Sequence, residues 1–201
     1  MWYKKSYIMK IFLVIFVLLF SSSVVAKEYK SIHGFKTSIP DHYILVTSNN
    51  FDEVIDIIKN FIDFDIDYWN EIVIPGLTNQ NVEFLFNTDN SNNINFVSVK
   101  KPYIEINKDI LPILCPLIKK GLSDLVKRDG IQIDCNISSI PGIKGKSIYA
   151  EHYGFLPGAT TFQFMFYTDY ENLVYATLTC FYEDCVISKL VFEDILFSMN
   201  E

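Results

Sequence analysis

No stretch of this chain narrows the choice of fold more than Thr161 to Phe181. Two runs of β-branched and aromatic residues, Thr161–Thr168 and Leu173–Phe181, flank the polar turn Asp169-Tyr170-Glu171-Asn172. That pattern predicts a long antiparallel hairpin. Ahead of it, Ile131–Ile137 and Ile143–Tyr153 are also strand-like, set off by Pro141-Gly142 and Pro157-Gly158. After it, Val186, Leu190, Ile195 and Leu196 face roughly one way at helical spacing and predict a closing helix between Glu183 and Met199.

The N-terminal half mixes the same ingredients. Tyr29–Ile39 and Tyr43–Thr47 read as extended, punctuated by Gly34 and Pro40-Asp41. Asn50, with Glu53 three residues on, resembles a capping box. The helix it opens carries Phe51, Val54, Ile55, Ile58, Phe61 and Ile62 on one face. A short helical segment is expected over Asp67–Val73, ending before Pro75-Gly76. A hairpin follows: Val82, Phe84 and Phe86 alternate with Glu83 and Leu85, and after a polar turn Ile94, Phe96 and Val99 return. The longest helical pattern places Leu111, Leu114, Leu117, Ile118, Leu122, Leu125 and Val126 on a stripe, capped by Asn107 or Asp109. A proline in the first turn is tolerated and a second one further in costs a hydrogen bond, so regular helix is expected from near Pro116. Asp129-Gly130 ends it.

The order is therefore ββ-α-ββ-α-ββββ-α. Strands joined by short turns, with helices inserted between groups, give an α+β antiparallel sheet covered by helices. Gly34-Phe35-Lys36-Thr37-Ser38-Ile39-Pro40 is similar to the opening "F-x-I-P" strand of the PsbP-like superfamily, with two residues rather than one between Lys36 and Ile39. Gln163-Phe164, Tyr175-Ala176-Thr177-Leu178-Thr179 and the closing helix to Ser198 resemble that superfamily's final hairpin and helix. The resemblance spans most of residues 29–199. It departs from the usual ending by placing Cys180 and Cys185 around the last turn. The superfamily includes the extrinsic photosystem II subunit, a Ran-binding import factor and small bacterial exported proteins. It implies a PsbP-like α/β/α sandwich and a mostly non-enzymatic role.

The first 26 residues set the compartment. Lys4, Lys5 and Lys10 lead into an apolar run from Ile11 to Phe20, then serines, then Val24-Val25-Ala26. This is the order of a secretory leader, with Met9 as an alternative start. Ile11 to Ala26 is only 16 residues, three of them serine, whereas a membrane span needs roughly 20 apolar residues. Cleavage between Ala26 and Lys27 is the expectation, with residues 27–201 forming one domain that is periplasmic or secreted. Membrane contact would then come only through the leader before it is removed. The mature chain carries 14 basic residues against 24 acidic ones, a charge of −10. Such a surface repels nucleic acid. Arg128 is the only arginine, which argues against bidentate phosphate or carboxylate clamps.

Four cysteines in an exported chain suggest two disulfides, for which three pairings exist. Cys180 with Cys185 would close the turn before the last helix, and Cys115 with Cys135 would tie the long helix to the next strand. Neither pair has the two-residue spacing of a zinc knuckle or a thiol oxidoreductase.

A search for chemistry yields little. His33, His42 and His152 are expected at surface or turn positions. His33 and His42 flank a punctuated hairpin and His152 lies on a distant strand. Asp63-Phe64-Asp65-Ile66-Asp67 starts like a calcium loop but has Tyr68 where glycine is needed and Ile74 where glutamate is needed. Neither G-x-S-x-G nor a glycine-rich phosphate loop is present. No catalytic, cofactor or metal residues are assigned. Recognition remains: Tyr68-Trp69 and Phe155, in the apolar loop from His152 to Gly158, are candidate partner contacts. The expectation is a non-enzymatic exported protein that binds an envelope protein or complex. The alternatives are an exported hydrolase using His33, His42 or His152, and a secreted inhibitor of another protein.

Overall fold

The computed structural model describes residues 26–61, 73–79, 82–89, 92–126, 132–153, 158–169, 171–181 and 184–200. The leader, the helical segment expected at 67–72, the acidic run 63–67, Tyr68, Trp69, Phe155 and the 129–130 helix stop lie outside them. Nine strands are described: β1 (Ala26–Lys30), β2 (Lys36–Pro40), β3 (Tyr43–Val46), β4 (Glu83–Asn87), β5 (Asn93–Lys100), β6 (Gln132–Ser138), β7 (Ser147–Tyr153), β8 (Ala159–Tyr167) and β9 (Asn172–Phe181). Four helices accompany them: α1 (Phe51–Phe61), α2 (Ile74–Asn79), α3 (Leu111–Val126) and α4 (Cys185–Phe197).

Seven strands form one antiparallel sheet in the order β3-β4-β5-β9-β8-β7-β6, and β1 and β2 pair separately. The expected hairpin is present, with Phe164 opposite Ala176 and Tyr167 opposite Leu173. Residues directly opposite across an antiparallel ladder share a face, so the register sorts the sheet into two surfaces. One surface joins Leu85, Ile94, Phe96, Leu178, Phe162, Phe164 and Phe166 with Phe35, Phe192, Ile195 and Leu196 in a single buried cluster. It is covered by α4 and the β1–β2 hairpin. The opposite surface carries two separate clusters. Phe84, Phe86 and Val46 lie under α1 and α2, where Leu77 of α2 joins them, and Ile148, Ala150, Met165 and Tyr167 lie under α3. Two polar rows run between them: Thr161, Thr179 and Asn93, then Gln163, Thr177 and Asn95. This is an α+β sandwich with helices on both sides of the sheet.

Local chemistry explains most boundaries and corrects several expectations. Asn50 does not make the capping box. Its Oδ1 accepts from the Thr47 N–H at 2.7 Å, and the Glu53 and Val54 N–H groups donate to the Asn50 carbonyl instead. The side chain closes the turn before α1, a competition common for Asn at helix starts. Pro75 does not exclude a helix but sits in the first turn of α2, where its missing N–H is not needed. The long helix begins at Leu111 and takes Pro116 inside it. Asn107 starts it by accepting from the Asp109 and Ile110 N–H groups at 3.0 and 3.3 Å.

Two predicted stripes are rotated. On α3, Leu111, Leu114 and Ile118 pack on the sheet while Leu117 is exposed. On α4 the buried side chains are Ser188, Phe192, Ile195 and Leu196, whereas Val186 and Leu190 point outward. The helix is apolar on nearly all sides, so periodicity had no contrast from which to choose a face.

β2 and the segment that closes α4 are stitched together. Lys36 and Asn200 exchange backbone hydrogen bonds at 2.8 and 3.0 Å. Thr37 donates to the Ile195 carbonyl at 2.6 Å, and the Ser38 N–H donates to Ser198 Oγ at 2.9 Å. A Cβ on Gly142 would overlap the Met199 carbonyl oxygen, so the tail is seated where a side chain has no room.

Candidate functional site

Two features stand apart from ordinary packing. The first is Glu83, at the start of β4 and wholly buried. The sequence places it between Val82 and Phe84, where alternation predicts a solvent-facing residue. Instead it faces the large core beside Phe96, and the β1–β2 hairpin closes over it. Tyr29 donates its hydroxyl to Oε1, joined there by the Ile32 N–H at 3.0 Å, and Ser31 donates to Oε2 at 2.6 Å. Burial together with the Glu83 partner raises the Tyr29 pKa above its ordinary value. A cavity of about 220 Å³ adjoins the cluster, lined by Tyr29, Lys30, Ile32, Leu45, Asn49 and Glu83 among others.

His33 completes the cluster and is buried rather than on the surface. Its Nε2 donates to the Phe96 carbonyl at 3.1 Å and lies 3.7 Å from Glu83 Oε2. Because that carbonyl only accepts, Nε2 carries the proton, and Nδ1 accepts from Ser98 Oγ at 2.9 Å. Burial lowers the His33 pKa, partly opposed by Glu83 and Phe96. A neutral ring accepting a serine proton is the geometry of a general base.

The other histidines are elsewhere. His42 is half-buried against the Tyr43 ring, 4.8 Å between centroids. His152 is also buried, contrary to expectation, on the α3 side of the sheet beside Thr161 and Ile133. Its Nε2 finds no hydrogen-bond partner among the described residues, and burial pushes its pKa down to about 4. Among the described residues no three His, Cys, Asp or Glu side chains are grouped to hold a metal.

The second feature is the outer side of α4. Val186 is 72% exposed, Ile187 67%, Leu190 58% and Phe197 48%. Phe181, at the end of β9, is also exposed. The helix is fixed from beneath: Cys185 at its first position is bonded to Cys180, Cα–Cα 5.2 Å, and Lys189 reaches back to the sheet. The Lys189 Nζ lies 4.8 Å from the Phe162 ring centroid, 5.2 Å from that of Tyr149, and 3.9 Å from Glu151 Oε2. Glu151 in turn accepts from the hydroxyls of Tyr149 and Tyr153. On the other side of the sheet Cys115 of α3 is bonded to Cys135 of β6, Cα–Cα 6.2 Å. Both expected cysteine pairs are thus brought together. Among the described residues, no helix is long and apolar enough to cross a membrane.

No family model matches the sequence, and no curated protein matches it. Solved structures do. The solution structure of cyanobacterial PsbP (CyanoP) from Synechocystis sp. PCC 6803 superposes with a TM-score of 0.54, covering 90% of this chain and 95% of that one at 10% identity. This chain has a PsbP-like fold. The likeness runs through nearly the whole of both chains. At that identity the likeness is one of fold.

Proposed function

We propose that this chain is an exported, non-enzymatic protein that binds an envelope protein or complex, after removal of residues 1–26 at the Ala26–Lys27 bond. One observation carries the reading: α4 is apolar on nearly all sides, yet only one side is covered. Monomeric proteins rarely leave large apolar side chains gathered on one rigid element unless a partner covers them. The disulfides and the leader support an oxidising compartment. Envelope extract passed over immobilised residues 27–201 tests it: a specific partner should be retained, and its absence overturns the reading. Variants Trp69→Ala and Phe155→Ala report whether those two side chains take part.

A second reading rests on the Ser98–His33 contact, which supports a serine hydrolase with His33 as base. Labelling by a fluorophosphonate probe, lost in Ser98→Ala, would support it. An unlabelled wild type removes it. Ser98 bonds to the ring nitrogen away from Glu83, and the cavity beside Glu83 is lined by other residues.

A further inference from the structure

We infer that the outer face of α4 is the seat for an amphipathic helix of a partner protein that carries Lys or Arg. The inference rests on the binding reading above and adds the surface and its chemistry. At 3.6 residues per turn, Val186, Leu190, Glu193 and Phe197 recur at intervals of four, three and four and form a single seam, flanked by Ile187 and Asp194. Those intervals are the ones that let a second helix lay its side chains along the first.

The charges on the helix select the partner. Besides Asp184 just before its first turn, α4 bears Lys189, Glu193 and Asp194. Lys189 is turned away from the seam onto Tyr149, Phe162 and Glu151. The face offered to a partner is therefore apolar with two carboxylates in or beside its middle. Covering it with an apolar helix would bury those carboxylates without a cation, which is costly. A basic residue opposite them removes that cost.

The same arithmetic disfavours a second copy of this chain. In an antiparallel pairing Glu193 of each copy meets Leu190 of the other, and in a parallel pairing Glu193 meets Glu193. Lys189 answers neither arrangement. Repulsion between two chains of charge −10 adds to this. An anionic lipid surface is disfavoured for the same reason, since helices that lie on membranes carry cations on their polar face.

The test uses two synthetic helical peptides of equal length, one built of Leu and Lys and one of Leu and Glu, titrated into residues 27–201 by calorimetry. The Leu/Lys peptide should bind and the Leu/Glu peptide should not. Ile187→Glu/Leu190→Glu should weaken binding by about tenfold or more, and Glu193→Gln/Asp194→Asn by several-fold with a shallower salt dependence. A second exposed apolar pair, Ile113 and Leu117 on α3, is the control: Ile113→Glu/Leu117→Glu should bind as wild type. All these positions except Glu193 are largely exposed, so the variants should melt like the parent. The inference is overturned by equal binding of both peptides, by unchanged binding in Ile187→Glu/Leu190→Glu, or by a dimer in sedimentation that Leu190→Glu dissolves. An envelope partner retained equally by wild type and Ile187→Glu/Leu190→Glu sinks the location while leaving the binding function. No envelope partner at all sinks the binding function itself, whatever the peptides do.

Discussion

The two surfaces of the central sheet solve the burial problem differently. Under α4 and the β1–β2 hairpin, one cluster runs without interruption from Leu85 and Ile94 to Phe166 and Met199. Among the described residues it admits one buried carboxylate, Glu83, with three donors converging on it. Under α1, α2 and α3 the apolar surface is broken in two by cross-strand rows of Thr, Asn and Gln. The first surface is held together by continuity of packing. The second is two smaller contacts, one of which has a covalent tie between α3 and β6. Continuous packing makes every large side chain felt, whereas a divided surface depends more on what staples each half.

That contrast is open to direct attack. Phe96→Ala removes a wholly buried ring that meets Phe35 edge-on, 5.3 Å between centroids. It should cost about 3–5 kcal/mol by chemical denaturation, more than Met165→Ala on the divided side. Equal losses would mean the two surfaces are energetically alike. Replacing Cys115 and Cys135 by serine should cost about 3 kcal/mol, as expected for a loop of 20 residues, against about 2 kcal/mol for the five-residue loop of Cys180 and Cys185. The reverse order would show that α3 stands without its staple.

Acid should act on both sides, because burial lowers the pKa of His152 on the divided one and of His33 on the continuous one. The unfolded His152 ring takes up its proton near pH 6.5 and the buried ring only near 4. Between those values the unfolded chain holds more protons, so stability falls as the pH is lowered through that window. The loss reaches up to about 3 kcal/mol by pH 4. His152→Val should flatten the profile there and change little at pH 8. An unchanged slope assigns the acid sensitivity elsewhere. Glu83→Gln tests the buried carboxylate of the continuous side. An amide cannot accept all three donors, and a loss of about 2 kcal/mol is expected. Thr177→Val in the polar rows should matter least, below about 0.5 kcal/mol, because Thr177 is only half-buried, although it receives the Gln163 amide at 3.0 Å.

The fold class was legible where local chemistry and tertiary demand agree. The Thr161–Phe181 hairpin declares itself through β-branched and aromatic runs around a polar turn, and Asp169 does close that turn by accepting from the Glu171 and Asn172 N–H groups, each at 2.7 Å. The cysteine partners followed from where strands and helices end. The burial of Glu83, His33 and His152 was not legible, because each depends on a surface that arrives from elsewhere in the chain. Alternation along β4 makes Glu83 look solvated, yet the hairpin some 50 residues earlier covers it. The one available signal was the position of a lone acid inside Val82-Glu83-Phe84-Leu85-Phe86, apolar on both sides. The orientation of α4 failed for the opposite reason: an excess of apolar residues leaves the sequence silent about which side is inward.

The stitch between Lys36 and Asn200 has a consequence for folding. The edge of β2 near Lys36 receives its backbone partner from a segment about 160 residues further along the chain, which must arrive before the seam can close. Until then Thr37 and Ser38 lack the Ile195 and Ser198 groups that satisfy them. Contacts of such high sequence separation cost the most chain entropy to close, so this seam is expected to form late in folding, after the sheet and α4 are in place.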